Sequence, residues 1–286
     1  MTRMASDASA LSAQVLEEYT SIESIRKYSK ETAGHGISHL LAHDYGEIYR
    51  RVVDDYIPPA RRAAGVRLLE FGCGAGMNLL HLVSTLDARG ISIDCAYGTD
   101  LSAPLIAAAN QAARSHLPAT RRDRVRFGVA TNENLIEGMT QEFSVDASSL
   151  FGSFDLVFGV NTIRYCHRLG NADECARTLF ALLRDGGVCI NIDMNNKFPA
   201  FRSRLRDWLT IEERARRLPT LEEYARPFAA AGFEIIEKRN FCWIPHSAGP
   251  RLTAIMGGAT PILSTIAPTR AMRSLVIARK RQERRS

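Results

Sequence analysis

The chain has 286 residues, which suits one large α/β domain with additions or two small domains. Hydrophobic residues make up 45% and charged residues 24%, the balance of a globular protein, which excludes a low-complexity chain. Much of the net charge of +6 lies in residues 201–217 and in the tail 278–286. We interpret both segments as solvated basic faces. The alternatives are binding to an anionic membrane surface or to an acidic substrate.

The first predicted elements are helical. Residues 11–56 carry apolar side chains three and four apart, which predicts helices, and "TAGHGI" at 32–37 separates them. Residues 57–65, "IPPARRAAG", predict a linker because consecutive prolines cannot continue a helix. We therefore divide the chain into a helical segment, residues 1–60, and a main domain, residues 61–286.

Strands and helices alternate in the first part of the main domain. Parallel strands need helical crossovers, so this alternation predicts a doubly wound parallel sheet. The central strands are continuous apolar runs, as buried parallel strands should be. The predicted strands are 66–72, 93–100, 124–130, 154–161 and 187–194, and the helices between them are 77–90, 102–117 and 172–186.

The end of the chain follows another pattern. Residues 218–233 predict a helix that Thr220 caps, and residues 233–244 and 272–280 predict two further strands. Residues 246–271 between these strands are far too long for a tight hairpin and are mostly apolar. We call this segment the apolar insertion.

A glycine-rich loop follows the first strand. Gly72, Gly74 and Gly76 stand at alternate positions, whereas a dinucleotide fingerprint places its third glycine where this chain has Met77. No Gly-Lys-Ser/Thr follows, so a Walker A loop is excluded. The loop therefore predicts a ligand other than a dinucleotide or a bare phosphate.

Two acids describe that ligand. Glu70, at the end of the first strand, would repel a pyrophosphate and favour an ammonium group. Asp100 ends the second strand, where a carboxylate accepts hydrogen bonds from both hydroxyls of a ribose. A ligand with an amino group, a ribose and no phosphate is S-adenosylmethionine.

The chain resembles the class I S-adenosylmethionine-dependent methyltransferases over residues 66–242 and again at 272–280. The resemblance implies a seven-stranded, mostly parallel sheet with an antiparallel last strand, and an N-terminal helical lid over the site. The segments that carry it, in chain order, are "LLEFGCGAG", "GTDLSAPLIAAA", "FDLVFGVNTIRYCH", "LFALLRDGGVCINID" and "LPTLEEYARPFAAAGFEII".

The resemblance also assigns cofactor contacts. Gly72 and Gly74 would let the methionine part approach the backbone, and Glu70 would face its amino group. Asp100 would hold the ribose, and Leu101 would pack near the adenine.

Other cofactor contacts are less regular. In the family an acidic residue often follows the third strand, but this chain has Thr131 and Asn132, whose side-chain oxygens are the available acceptors for the adenine amino group. Asn161 would line the floor of the site, and Tyr28 in the lid would contact the cofactor carboxylate.

The acceptor site is expected around "NTIRYCHR", which begins at the carboxyl end of the fourth strand. His167 is the candidate general base for a hydroxyl or amine acceptor, or else it only orients the loop. Arg164 is the candidate partner of an acceptor carboxylate, or else it forms a surface ion pair. Tyr165 either contacts the acceptor or packs.

Lid and insertion supply the remaining candidates. His35, His39 and His43 have the spacing of metal ligands on one helix face, but methyl transfer needs no metal, so we expect none and interpret His35 as a substrate contact. Trp243 and the apolar insertion predict an apolar wall for an amphipathic acceptor. With the basic tail, the insertion also offers a surface for peripheral membrane contact.

Composition bears on location as well. The six cysteines show no C-x-x-C spacing, so we expect neither a disulfide framework nor a zinc site. Residues 1–14 lack the apolar core of a signal peptide, and the apolar residues 252–267 are shorter than the ~20 of a spanning helix. We therefore expect a cytoplasmic protein.

The functional hypothesis is a methyltransferase that acts on a small, amphipathic metabolite. Carboxyl O-methylation of a fatty-acid-like acid is preferred, since a carboxylate is already ionised at neutral pH and needs no base. N- or O-methylation of a natural-product scaffold is the main alternative, followed by methylation of RNA or protein. Without an aromatic-interleaved RNA-binding motif, we expect no nucleic-acid partner. A non-catalytic protein that keeps the fold is the last alternative.

Overall fold

The computed structural model describes residues 44–199, 218–244 and 250–281. Seven strands lie in these residues: β1 Val66–Phe71, β2 Ile93–Asp100, β3 Val125–Val129, β4 Phe154–Val160, β5 Leu183–Met194, β6 Glu234–Phe241 and β7 Arg273–Arg279. The helices are α1 Gly46–Tyr56, α2 Pro59–Ala64, α3 Met77–Ala88, α4 Ala103–His116, α5 Ala119–Arg122, α6 Leu135–Phe143, α7 Ala147–Leu150, α8 Ile163–Leu169, α9 Ala172–Leu182, α10 Leu221–Ala230 and α11 Pro250–Ile266, and a short 3₁₀ helix spans Pro268–Arg270.

The seven strands form one sheet in the order β3-β2-β1-β4-β5-β7-β6. The first five pair in parallel, and β7 runs antiparallel to both β5 and β6. This confirms the predicted doubly wound sheet with its antiparallel last strand. An apolar core lies on each face, and α1, which precedes the sheet, packs into one of them through Tyr49, whose ring lies 5.2 Å from that of Phe158.

Two local predictions need correction. The expected linker at 57–65 contains α2, because Pro59 stands in the first turn of that helix, where its fixed φ and missing N–H are no disadvantage. The segment after β4, treated above as a loop, forms α8 directly. The cap of α10 is as predicted, since the Thr220 side chain accepts a hydrogen bond from the Glu223 N–H in a reciprocal capping box.

The antiparallel last strand decides where the apolar insertion emerges. Arg273, the first residue of β7, lies opposite Met194 at the end of β5 and opposite Phe241 at the end of β6. The connection between β6 and β7 therefore leaves the sheet at its carboxyl edge, the edge that the glycine loop and Asp100 also occupy. Its described part is the single helix α11 followed by the 3₁₀ turn.

Candidate functional site

The glycine loop between β1 and α3 holds three glycines with positive φ for different reasons. At Gly72 an added Cβ would lie 2.2 Å from the Thr162 Oγ1, and at Gly76 it would lie 2.7 Å from the Phe127 ring. At Gly74, with φ +55°, no atom lies within 4 Å of that position. Gly72 and Gly76 are thus required by close packing, whereas Gly74 faces open space at the carboxyl edge.

Asp100 holds this loop in place from the end of β2. Its Oδ2 accepts a hydrogen bond from the Gly74 N–H across 2.8 Å, and its Oδ1 accepts one from the Ser102 N–H across 2.9 Å. Burial raises the pKa of the Asp100 carboxyl, while these backbone N–H groups lower it. Because an ionised carboxylate accepts about four hydrogen bonds, acceptor capacity remains for the hydroxyls of a ribose.

Glu70 is a fully buried acid beside the loop. Its Oε2 accepts a hydrogen bond from the Leu79 N–H across 3.0 Å, and its Oε1 has no hydrogen-bond partner in the described part of the chain. Burial raises the pKa of Glu70 well above its ordinary value, and the Leu79 N–H and the Asn78 side chain oppose that rise. An unpartnered buried carboxylate oxygen is costly, and an ammonium group is the partner that would satisfy it best.

Sequence reasoning missed two residues behind Glu70. The Tyr49 hydroxyl donates a hydrogen bond to the Asn78 Oδ1 across 3.3 Å, and both side chains are buried. Tyr49 comes from α1, so the helix before the sheet helps to fix the side chains around Glu70. The only signal in the sequence is a polar residue, Asn78, within the first turn of an apolar helix.

Thr131 and Asn132, which were predicted near the adenine, lie in the loop after β3 and point in different directions. The Asn132 side-chain amide donates to the Thr162 Oγ1 across 3.3 Å and to the Cys166 Sγ across 3.4 Å, bonds that do not use its oxygen. Thr131 is exposed, and its hydroxyl accepts a hydrogen bond from the Asn134 N–H across 3.3 Å. Asn132 thus faces inward and Thr131 outward; their adenine contacts, like that of the half-buried Leu101, remain predictions.

Asn161 joins three strands at the carboxyl edge. It has a positive φ of 58°, its N–H donates to the Ile192 carbonyl across 2.8 Å, and its Oδ1 accepts a hydrogen bond from the Arg273 Nη1 across 2.6 Å. Arg273 is buried and was missed by sequence reasoning, although a charge near the start of a predicted strand was a readable signal. Asn161 therefore lies between the cofactor side of the sheet and β7.

Arg164 engages a buried acid. Its guanidinium lies 3.6 Å from the Asp193 carboxylate, and its backbone N–H donates to the same carboxylate across 3.1 Å. Its Nη2 also donates to the Tyr165 hydroxyl across 2.7 Å, and its guanidinium lies over the Tyr165 ring. The ion-pair alternative for Arg164 is thus present, in a buried rather than a surface setting, and Tyr165 packs against it.

His167 lies on α8 against α10. Its ring stands edge-on to that of Tyr224 at 5.5 Å, and its Nε2 is buried without a hydrogen-bond partner in the described residues. Burial and the Arg226 charge lower the pKa of His167, so its imidazole is neutral at pH 7. A neutral imidazole is the form that a general base requires.

Trp243 anchors the apolar insertion. Its side chain is buried just after β6, and its Nε1 donates a hydrogen bond to the Ser264 Oγ of α11 across 3.1 Å. Tyr28 and His35 lie outside the described residues, as do His39 and His43. Within the described residues no group of three candidate metal ligands occurs, and no helix has the length and hydropathy needed to cross a bilayer.

Comparison with protein families agrees with this geometry. The model of a family described as "Methyltransferase domain" matches residues 41–238, well over half of the chain. No curated protein matches the sequence significantly.

Several solved structures share the fold. Phosphoethanolamine N-methyltransferase 2 of Haemonchus contortus, in complex with S-adenosyl-L-methionine, has a TM-score of 0.57 and 17% identity over 94% of this chain, which spans 60% of that chain's length. The [4+2]-cyclase SpnF has a TM-score of 0.55 and 18% identity over 94% of this chain and 96% of its own. An S-adenosylmethionine-dependent methyltransferase from Mesorhizobium loti has a TM-score of 0.51 and 20% identity over 84% of this chain and 99% of its own. At these identities the likeness to the solved structures establishes the fold. The family match covers more than half of the chain, and Glu70, Gly74 and Asp100 lie around one loop, as the cofactor site of that family requires. The chain belongs to the methyltransferase domain family and is a class I S-adenosylmethionine-dependent methyltransferase.

Proposed function

We propose that the protein transfers a methyl group to a small, amphipathic metabolite, with carboxyl O-methylation of a fatty-acid-like acid as the preferred reaction. N- or O-methylation of a natural-product scaffold is the alternative. Methylation of RNA is disfavoured, because the described residues contain no recognisable RNA-binding motif, and methylation of protein is a further alternative.

The cofactor side of the site depends on three residues. The bound cofactor supplies an activated methyl group on a sulfonium. Gly74 leaves room for it, the unpartnered Glu70 Oε1 would accept from its amino group, and Asp100 would accept from its ribose while it fixes the Gly74 N–H. A loop fixed in advance aligns the methyl carbon with the acceptor, which is the main contribution that a protein makes to an in-line displacement.

The observation that carries the acceptor class is the apolar surface of α11. Ile255, Ile262 and Ile266 are 69%, 64% and 72% exposed, and Arg251 is the one charged residue in this helix. Exposed apolar patches of this kind mark binding surfaces for apolar ligands, partners or membranes. Because α11 follows the carboxyl edge of the sheet and Trp243 holds it there, an apolar chain that leaves the active site would lie along it.

The acceptor chemistry follows from the charge state of the acceptor. A carboxylate is ionised at neutral pH, so the site needs only to orient it and exclude water. A hydroxyl or amine acceptor needs a base, and the neutral His167 is the candidate for that step. Both routes end with the methyl group on the acceptor heteroatom.

Product analysis tests the proposal. The purified full-length protein is incubated with S-adenosylmethionine and, in separate reactions, octanoate, octylamine, octanol and total RNA, and products with one added methyl group are measured by mass spectrometry. We expect methyl octanoate as the main product. Methylation confined to octylamine or octanol would favour the N- or O-methylation alternative, and methylation of RNA alone would overturn the small-molecule proposal.

A further inference from the structure

Arg273 begins β7 at the carboxyl edge and is a buried cation. It is 9% exposed, and its Nη1 donates to the Asn161 Oδ1 across 2.6 Å. Its Nε is shielded from solvent and has no hydrogen-bond partner in the described part of the protein. A buried guanidinium therefore keeps at least one donor without an acceptor, which is costly in a folded protein.

A second donor without a partner lies close by. The hydroxyl of Tyr45, which is 5% exposed, has no hydrogen-bond partner within the described residues. The ring of Tyr45 lies 6.0 Å from that of Phe241, and Phe241 is the cross-strand neighbour of Arg273. The positive charge of Arg273 also acts on the Tyr45 hydroxyl, which agrees with their proximity. Two buried donors, one on each side of Phe241 in this chain of contacts, thus have no acceptor among the described residues.

Arg164, the arginine that the sequence favoured for an acceptor carboxylate, is differently placed. Its charge is balanced by the fully buried Asp193, which it contacts through both its side chain and its backbone N–H. A ligand carboxylate would have to compete with that internal carboxylate. At Arg273 no carboxylate oxygen of the described residues accepts a hydrogen bond from the guanidinium.

The position of Arg273 in the sheet separates it from the cofactor residues. Glu70 and Gly74 belong to β1 and its loop, and Asp100 belongs to β2, whereas β7 lies three positions beyond β1 in the order β1-β4-β5-β7. Neighbouring strands are about 4.8 Å apart, so β7 lies roughly 14 Å from β1. The Arg273 side chain nevertheless reaches Asn161 at the end of β4, the strand directly beside β1.

Resting on the proposed function, we infer that Arg273 and Tyr45 together bind the carboxylate of the methyl acceptor. The Arg273 guanidinium donates through Nε and the Tyr45 hydroxyl donates beside it, so a carboxylate satisfies both donors at once. Asn161 acts as a positioning residue, since its Oδ1 holds the guanidinium through Nη1. The substrate class is then an organic acid, whose apolar part extends toward α11.

The proposed site is shielded from water. The Arg273 Nε and the Tyr45 hydroxyl are both buried, so a carboxylate bound between them would be withdrawn from solvent. The other charges near Tyr45 are those of Asp44 and Asp193, which act against an anion. Burial raises the pKa of Asp193, which weakens its negative charge, while the charges of Arg164 and Arg273 oppose that rise.

Isothermal titration of octanoate into the full-length protein saturated with S-adenosylhomocysteine tests the inference. The wild type is compared with Arg273→Met, Tyr45→Phe and the control Arg279→Met, which removes a half-buried arginine paired with Glu234 at the other end of the same strand. We expect about a tenfold or larger loss of octanoate affinity for Arg273→Met and a few-fold loss for Tyr45→Phe, as for a charged and a neutral hydrogen bond. Arg279→Met should bind octanoate like the wild type, and octanol should bind equally to all four proteins.

The outcomes separate this inference from the proposed function. Binding of S-adenosylhomocysteine by each variant reports on the cofactor site and on folding, and Tyr45→Phe removes only a hydroxyl without a partner, so it tests the site even if Arg273→Met does not fold. The inference would be overturned, while the cofactor result stands, if octanoate does not bind to the wild type or if it binds to Tyr45→Phe and to Arg273→Met as tightly as to the wild type. A loss of S-adenosylhomocysteine affinity in a folded Arg273→Met protein, with octanoate unaffected, would assign the arginine to the cofactor instead.

Discussion

The carboxylate of Asp100 accepts a hydrogen bond from the backbone N–H of Gly74 across 2.8 Å, and this bond ties the end of β2 to the loop after β1. The same carboxylate accepts from the Ser102 N–H, so one buried acid fixes both chain segments that border the cofactor site. The acid that the sequence assigned to a ribose thus has a structural role before any ligand binds.

Replacement of Asp100 by asparagine should therefore weaken both folding and ligand binding. One carboxylate oxygen becomes an NH₂ group that faces a backbone N–H, and the loss of a charged hydrogen bond costs about 1.5–3 kcal/mol. We expect a lower free energy of unfolding in urea and a more than tenfold loss of S-adenosylhomocysteine affinity by calorimetry. Unchanged affinity would remove Asp100 from the cofactor site.

Alanine substitutions at Gly72 and Gly74 should impair different properties, namely folding stability at Gly72 and cofactor binding at Gly74. At both positions an L-residue with positive φ costs about 1–2 kcal/mol. At Gly72 the added Cβ would also collide with Thr162, so Gly72→Ala should be the less stable protein by thermal unfolding. Gly74→Ala has free space for its Cβ and should fold, but it should lose S-adenosylhomocysteine binding. If Gly74→Ala binds like the wild type, the space above Gly74 is not the cofactor site.

The stability of the ligand-free protein should depend on pH through Glu70. Its folded-state pKa is raised above the ordinary value of 4.5, so its stabilising contribution is complete below that pH and is lost as the pH rises through the folded-state pKa. The glutamine in Glu70→Gln does not ionise, so the stability of this variant does not fall through that group as the pH rises. Between pH 5 and pH 8 the free energy of unfolding of the wild type should therefore fall relative to that of Glu70→Gln. Urea unfolding of both proteins at the two pH values measures it, and a difference that does not change with pH would contradict the prediction.

Arg164 should matter for folding more than for acceptor binding. Removal of one partner from a buried ion pair costs roughly 3–5 kcal/mol, because the other charge stays buried alone. Arg164→Met should therefore destabilise strongly, and the double variant Arg164→Met with Asp193→Asn should be more stable than the sum of the single effects predicts. Additive single effects in urea unfolding would show that the two residues are not coupled.

His167→Ala separates two kinds of acceptor. Methylation of a carboxylate needs no base and should change less than threefold in kcat, whereas methylation of an amine or hydroxyl should fall by roughly 10²–10⁴. Steady-state kinetics with octanoate and with octylamine compares the two cases. If His167→Ala leaves octylamine turnover intact, His167 is not a general base.

Much of the fold was predictable from local patterns. The strands are rich in apolar residues and are separated by helical patterns, so their positions were predicted within about two residues at β2, β3, β4 and β7. The helix α2 was missed because Pro59 both ends one element and begins the next, and a sequence pattern does not separate these two effects. The helix α8 was missed because only Asn161 and Thr162 separate it from β4, a turn too short to recognise from the sequence pattern.

The sequence by itself determined that Glu70, Gly74 and Asp100 meet at one edge, since the ends of parallel strands joined by right-handed crossovers lie side by side. It did not determine which arginine is available, because charge pairing depends on contacts between residues far apart in the chain. Arg164 on α8 contacts Asp193 on β5, and Arg273 lies at the carboxyl edge because β7 runs antiparallel to β5. Only tertiary structure decided which acid and base pair internally and which donors are left without a partner.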